Sequence, residues 1–433
     1  MMMKFYDNPP QETWDEILKR PSIQTKELHG VVGKVLDDVR CNGDVALKRY
    51  EQQFDKVQLA ELAVTEKELA EAESLVSPEL KEAIQVAYDN IYKFHAAQKF
   101  ALVKVETCKG VVCEQRAVAI EKVGLYIPGG TAPLFSTVLM LAVPAKIAGC
   151  REIVLCTPPS KEGKCNPAVL YTAKLSGVSR IYKIGGAQAI AAMAFGTESV
   201  SKVDKIFGPG NQYVVAAKQL VSLEDVAIDM PAGPSEVEVI ADVNSNPTFV
   251  AADLLSQAEH GADSQVVLVA TDKGIIEAVE KEIEKQLQRL PRKNIAEKAL
   301  QNSKVIYVPN REKVVAISNF YAPEHLVIAT DDCDEIANGI THAGSVFLGK
   351  FSCESAGDYA SGTNHTLPTK GYAKAYSGLC LDSFMRKITF QRLSPEGVKS
   401  VGKAVELMAE AEGLDAHKNA MTVRLDYVSG KTR

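Results

Sequence analysis

The alternation of hydrophobic and polar positions changes rhythm near residue 123. Before it, residues 26–50 and 64–100 carry Leu and Val at three- and four-residue spacing with charges between them, which predicts helices. Pro78 is placed to open a second helix rather than to interrupt one. A short amphipathic segment around Trp14, ended by Pro21, precedes them. From 123 onward, short apolar runs at 123–128, 152–157, 180–185 and 205–208 alternate with Ala- and Leu-rich stretches such as 136–149 and 187–196. A second series follows the Pro231-Ala-Gly-Pro234 break, with strands expected at 237–241, 265–270, 304–308, 325–329 and 345–348. This βαβ rhythm predicts parallel sheets covered by helices on both faces, in two α/β domains. Beyond about 385 the pattern is helical. Ser394-Pro395-Glu396 opens a helix running to Gly413, and Asp415 starts another that reaches about 428. Such a hairpin buries too little surface to stand alone and must pack on the body or on a partner.

Bulk properties narrow the function classes. A chain of 433 residues predicts two to four domains, and 46% hydrophobic with 24% charged residues is ordinary for a globular protein. The net charge of −6 leaves no basic stripe for nucleic acid. No apolar run reaches the roughly 18 residues that span a bilayer, and the longest, Thr137–Lys146, is broken by Pro144 and Lys146. The first ten residues lack the apolar core of a signal peptide. Nine scattered cysteines without Cys-x-x-Cys spacing fit a reducing cytoplasm and argue against a thiolate zinc site.

Several polar clusters carry possible chemistry. Gln257 and His260 lie three residues apart before a glycine, so on a helix both face one side; they read as a metal-binding pair or as helix-end decoration. Glu324 and His325 lie between a helix and a strand, where a turn lets both face one cavity for proton exchange; the plain alternative is a solvated Glu and a strand-start His. The loop Gly357–His365 offers Asp358 and His365 either as ligands or as turn formers. Glu412 and His417 flank the hairpin bend at Gly413. Glycine-rich turns after three strands, at Tyr126–Gly130, Gly185–Gln188 and Gly208–Asn211, read as tight turns or as a ligand crevice along one sheet edge. None completes Gly-x-Gly-x-x-Gly.

These clusters occur in an order that resembles the histidinol dehydrogenase family over essentially the whole chain. The carrying segments include Val123-Gly-Leu-Tyr-Ile-Pro-Gly-Gly, Gly208-Pro-Gly-Asn-Gln-Tyr, Asp229-Met-Pro-Ala-Gly-Pro-Ser-Glu236, Gln257-Ala-Glu-His-Gly, Pro323-Glu-His-Leu, Gly357-Asp-Tyr-Ala-Ser-Gly-Thr-Asn-His and Glu410-Ala-Glu-Gly-Leu-Asp-Ala-His. No departure is seen where the family places a functional residue.

The resemblance implies a cytoplasmic zinc enzyme that oxidises L-histidinol to L-histidine through L-histidinaldehyde, using two NAD+. It implies one Zn2+ per subunit, held by Gln257, His260, Asp358 and His417, the last from the other subunit of a homodimer with shared active sites. Ser235, Gln257, His260, His325, Asp358, Glu412 and His417 would contact substrate, and Tyr126, Gln188 and Asn211 would line the NAD site; His365 has no assigned role. The expected organisation is α/β: an N-terminal helical segment (1–25), a main Rossmann-like (incomplete) domain carrying the metal and catalytic residues (26–122 and 236–384), a second, NAD-contacting one (123–235), and an exchanged C-terminal helical hairpin (385–433). His325 is the expected general base and Glu324 the group that activates water. Without the resemblance, the residues stop at a metal-dependent α/β enzyme. A zinc hydrolase of a small amine or imidazole substrate, or a non-catalytic binding module, would use the same features.

Overall fold

The structure is a computed structural model that describes residues 3–21, 25–129, 133–230 and 233–431. Gly130 of the first glycine-rich turn and Pro231-Ala232 of the central break lie outside the described residues. The chain divides into two compact units: 1–97 with 120–384, and 98–119 with 385–433.

In chain order, β1 (Lys4–Asp7) comes first, and β2 (Val103–Cys108) and β3 (Val111–Ala119) follow the N-terminal helices. Next come β4 (Lys122–Tyr126), β5 (Glu152–Thr157), β6 (Arg180–Lys183), β7 (Lys205–Phe207) and β8 (Ala227–Ile228). These form a parallel sheet in the order β6-β5-β4-β7-β8. Then follow β9 (Glu236–Ala241), β10 (Gln265–Ala270), β11 (Lys304–Tyr307), β12 (His325–Ile328) and β13 (Ser345–Leu348). With β1 they build a second parallel sheet, β1-β11-β10-β9-β12-β13. β14 (Met385–Leu393) belongs to the smaller unit.

Each large sheet thus winds 3-2-1-4-5 from its own first strand, the order of a Rossmann fold short of its sixth strand. Strand order reverses between β4 and β7 in one sheet and between β9 and β12 in the other. The two reversals are built differently. At the carboxyl ends of β4 and β7, Gly208 (φ +124°) passes so close to the Tyr126 carbonyl that a Cβ would lie 2.2 Å from its oxygen. Only glycine fits there. At the corresponding ends of β9 and β12, the buried Ser245 hydroxyl donates to the Ala329 carbonyl (2.9 Å) and ties the two strands together.

Side-chain alternation sets the layers around the five-stranded sheet. Val154 and Cys156 pack with Val32, Val35, Leu36 and Leu47 of helix Thr25–Tyr50 and with helices Gly186–Phe195 and Gln212–Val221. Ile153 and Leu155 face the other way, toward helices Phe135–Ala148 and Pro167–Ser176. The helices at 25–96 therefore belong with the five-stranded sheet. Thr25–Tyr50 packs on its inner helices, and Glu66–Leu75 and Pro78–Ala96 pack on Pro167–Ser176 and Phe135–Ala148 as an outer layer. The sequence reading grouped these helices with the metal-bearing domain. Hydrophobic period shows that a helix has a buried face but not which sheet covers it. Helix Phe135–Ala148, with Pro144 inside it, is buried nearly all round. Among the described residues no helix is long and apolar enough to cross a membrane.

The smaller unit is not only helical. β2, β3 and β14 form an antiparallel sheet in which β14 pairs along all of β3, from Met385↔Ala119 to Leu393↔Val111. Helices Pro395–Ala411 and Asp415–Val428 follow as an antiparallel pair, close enough that a Cβ on Gly402 would strike Leu425. Gly413 (φ +70°) turns the chain between them.

Glu238 tests the core of the six-stranded sheet. It is fully buried on β9, accepts a hydrogen bond from Ser318, and burial pushes its carboxyl from 4.5 up to about 8. A raised carboxyl binds its proton more tightly folded than unfolded, so its contribution is fully present below the unfolded value and is lost as pH rises through the folded one. Stability should therefore fall between about pH 4.5 and 8 by at most about 1.4 kcal/mol per unit from this group. Glu238→Gln should remove that slope in urea unfolding followed against pH.

Candidate functional site

The helix Arg311–Tyr321 ends at Ala322 in the left-handed region (φ +52°), and Pro323 stops it from continuing. The chain then enters β12 between β9 and β13, with His325 opposite Val237 and Ser345. This turn aims the two neighbouring side chains at one place: Glu324 Oε2 lies 3.7 Å from His325 Nδ1, and both residues are buried.

Glu236, the first residue of β9, fixes them. Its N–H donates to Glu324 Oε2 (2.8 Å). Its carbonyl accepts from Gln257 Nε2 (3.0 Å) and lies 3.2 Å from His325 Nδ1. Its carboxylate is held by a two-pronged pair with Arg20 (2.6 and 2.8 Å) and by the N–H of Lys370 (2.8 Å). Arg20 in turn lies over the Tyr321 ring at 4.0 Å.

Two helices supply the remaining groups. Gln257 and Asp253 stand four residues apart on Pro247–Ala258, and Glu354 and Asp358 four apart on Glu354–Tyr359, so each pair shares a helix face. Gln257 Nε2 is 3.0 Å from His325 Nδ1, Asp358 Oδ1 is 3.4 Å from His325 Nε2, and Glu354 Oε1 is 3.9 Å from Nδ1. Because a carbonyl accepts from the Gln257 amide nitrogen, its oxygen is the free end, and Oε1 is buried without a partner. So is Glu354 Oε2, while His325 Nε2 and Asp358 Oδ1 have only their 3.4 Å contact with each other and no hydrogen bond.

The electrostatics are those of carboxyls crowded round one imidazole. Burial raises Glu324 and Glu354 each to about 8 and Asp253 to about 7. Burial works against charge on His325, but Glu354, Glu324 and Asp358 outweigh it and push the imidazole up to about 10. Asp358 moves down: burial opposes ionisation, and the His325 contact overcomes it. Orphaned buried N and O atoms around concentrated negative charge suit a divalent cation, and a thiolate-free donor set is compatible with Zn2+. Ligand atoms of His325, Glu354 and Asp358 lie within 4.8 Å of one another.

Of the residues singled out in the sequence, Gln257, Glu324, His325 and Asp358 come together here. His260 is exposed at the end of the Gln257 helix; the protein crowded around its ring still lowers its pKa, and Asp358 pulls the other way. His365 joins the wall, with Nδ1 2.9 Å from the Asp358 carbonyl and Nε2 3.1 Å from Thr137 Oγ1. Ser235 directly precedes Glu236, and its carbonyl accepts from Gln265 N–H. Glu412 and His417 stand exposed at the hairpin tip of the smaller unit. The sequence reading passed over Glu354, Asp253 and Glu236. The i,i+4 partnership with Asp358 and with Gln257 was the available signal for the first two; nothing in the sequence marks Glu236.

Tyr126, Gln188 and Asn211 line one cavity of about 530 Å3 at the carboxyl ends of the five-stranded sheet, beside the reversal between β4 and β7. The Tyr126 hydroxyl accepts from Gly186 N–H (3.0 Å), Gln188 Nε2 donates to Glu51 Oε1 (2.9 Å), and Asn211 Oδ1 caps the N–H groups of Tyr213 and Val214. Open crevices at strand-order reversals are where parallel sheets bind ligands.

The fold is shared with a distant class of oxidoreductases. A crystal structure of an acetylating aldehyde dehydrogenase from Geobacillus thermoglucosidasius superposes with a TM-score of 0.50, covering 88% of this chain and 94% of that one, at 14% identity. That likeness concerns the fold alone. A crystal structure of histidinol dehydrogenase from Elizabethkingia anophelis superposes with a TM-score of 0.97 at 56% identity, covering 99% of both chains. The histidinol dehydrogenase of Bacteroides thetaiotaomicron is 63% identical over 425 residues, 98% of this chain and 99% of the relative. The chloroplastic one of Arabidopsis thaliana is 53% identical over 420 residues, 96% and 90%. The family's sequence model, described as histidinol dehydrogenase, matches residues 18–425. The chain belongs to the histidinol dehydrogenase family.

The dependence of the site on Glu236 is measurable. Arg20→Gln leaves that buried carboxylate without its charged partner and should cost about 2–4 kcal/mol in urea unfolding. A substitution that left stability within about 0.5 kcal/mol, the ordinary range for surface changes, would show that the Glu236 junction does not rest on this pair.

Proposed function

We propose that this oxidoreductase of histidine biosynthesis converts L-histidinol to L-histidine in two NAD+-dependent steps through L-histidinaldehyde, in the cluster around His325. The observation that carries the reading is the convergence of three buried oxygens without hydrogen-bond partners, those of Gln257, Asp358 and Glu354, around the Glu324–His325 pair in a member of this family. Gln257 Oε1, His260 and Asp358, together with His417 from a second copy of the chain, are the proposed zinc ligands. Bound zinc would orient the imidazole and amine of the substrate, and bound NAD+ would accept hydride in each step.

The chain's own residues handle the protons. His325, held by the Glu236 carbonyl and the Gln257 amide, faces the substrate hydroxyl and takes its proton as the alcohol becomes the aldehyde. Glu324 removes a proton from the water that adds to the aldehyde, and His325 takes the next as the hydrate becomes the acid. The burial that raises Glu324 matches it to proton transfer near neutral pH. Ser235 and Glu412 are proposed substrate contacts. The cavity holding Tyr126, Gln188 and Asn211 is the proposed dinucleotide site.

The contribution of His417 calls for a homodimer in which the tail serves the neighbouring site. The smaller unit supports this by what it leaves bare: Val103, Val105, Ile388, Phe390, Leu407 and Met408 are exposed large apolar residues on it.

Adding histidinol and NAD+ should produce NADH absorbance at two equivalents per substrate; no NADH would overturn the proposal, and the zinc hydrolase reading would take its place. Glu324→Gln should slow aldehyde oxidation at least tenfold more than alcohol oxidation, whereas equal slowing would remove the division of roles. Zinc content by atomic absorption should fall in His260→Ala and persist in Glu354→Gln; the reverse would move the metal onto the His325–Glu354–Asp358 group. Mixing His417→Ala with His325→Ala chains should restore activity that neither variant has, and no recovery would exclude a shared site.

A further inference from the structure

One carboxyl on the wall of the proposed dinucleotide cavity, Asp55, and one buried behind it, Glu51, have no part in the reaction. Glu51 and Asp55 stand at the ends of a single π-helical turn, a distortion that often marks functional positions. Glu51 is fully buried and uses Oε1 to accept from Gly185 N–H (3.1 Å) and from Gln188 Nε2. Asp55 is half-buried on the cavity wall, its Oδ2 3.3 Å from where a Cβ on Gly185 would stand. Burial pushes the Glu51 carboxyl up to about 8 and raises Asp55 as well, and of the two the less buried Asp55 is the one that carries negative charge more readily.

The helix starts on this cavity's wall have leading amides already taken. A helix's leading amides are where a phosphate ordinarily sits. Here the Gly185 and Gly186 amides are taken by Glu51 and Tyr126, and Asn211 Oδ1 takes the amides of Tyr213 and Val214. The acid that usually reads a ribose hydroxyl stands at the end of the second strand. At that place β5 ends in Thr157-Pro158-Pro159, with no acid. Among the described residues lining the 530 Å3 cavity, Asp55 is the charged one and there is no Lys or Arg. Lys164 lines an adjoining cavity but is paired with Glu71 at 2.6 Å. A further atom waits for a ligand: Gln188, 1% exposed and on the cavity wall, has its Oε1 without a partner.

We infer that Asp55, backed by Glu51, is the specificity residue through which this cavity accepts a dinucleotide with free ribose hydroxyls and rejects one carrying a 2′-phosphate. The inference rests on the dinucleotide reading of the cavity. Asp55 accepts hydrogen bonds from the ribose diol, and its charge repels a phosphate ester in the same place. The acid comes from the N-terminal helical region rather than from the sheet's own strand end.

Calorimetric titration of the intact protein tests this without turnover. Wild type should bind NAD+ at least tenfold more tightly than NADP+, and ADP-ribose more tightly than its 2′-phosphate by the same margin. Asp55→Asn should weaken NAD+ about tenfold, the loss expected for one hydrogen bond to a charged group. It should also bring the NAD+ to NADP+ ratio near one, with the thermal midpoint within a few degrees of wild type. If wild type binds NAD+ but does not discriminate, or if a folded Asp55→Asn keeps the preference, this inference alone falls. If Asp55→Asn does not fold, the wild-type ADP-ribose pair decides. If wild type binds neither dinucleotide, the dinucleotide reading falls and takes the inference with it.

Discussion

Almost everything chemical in the larger unit hangs on the peptide groups at either side of one residue, Glu236. Its N–H orients Glu324, its carbonyl sets the Gln257 amide and the His325 ring, and its carboxylate is clamped by Arg20 and Lys370. A backbone cannot change rotamer. Side chains hung from peptide groups at the start of a central strand are therefore held more narrowly than side chains hung from one another. The buried ion pair below exacts a desolvation cost but fixes where that strand begins, and so where Glu324, Gln257 and His325 point.

Negative charge is the second constraint. Three carboxyls within 4 Å of one imidazole, with another behind them, could not persist as free anions away from water. The folded chain meets this with retained protons on Glu324 and Glu354 and a charged His325. A divalent cation would meet it more directly, and by offsetting the carboxylates it would let His325 give up its proton and serve as a base. The unpartnered oxygens of Gln257, Asp358 and Glu354 are where such a charge would be received.

Much of this could be read in the chain before folding. Ser394-Pro395, Asn166-Pro167 and Asn246-Pro247 announce helix starts with a capping oxygen followed by a proline, and all three are used so. The strands from 123 onward follow their apolar runs, and the turn before His325 brings Glu324 beside it. Relations that depend on distance in the chain were not legible. Glu354 had only its i,i+4 spacing from Asp358 to mark it, because its burial depends on helix Pro247–Ala258, a hundred residues earlier. The antiparallel sheet of the smaller unit joins 103–119 to 385–393, and neither stretch alone says that it needs the other. The helices at 25–96 show an apolar face but not its destination.

The two large sheets begin their shared winding 114 positions apart, at Lys122 and at Glu236, so one strand order is used twice in the chain. The two windings differ at their ends. The first kept its crevice open, with a glycine at the narrowest point. In the second a serine hydroxyl bridges the corresponding ends, and the cluster of buried carboxyls around His325 stands at the opposite rim, where β9 and β12 begin. A strand order used twice puts two clefts at equivalent places, and a single bridging hydroxyl is enough to make their rims unlike.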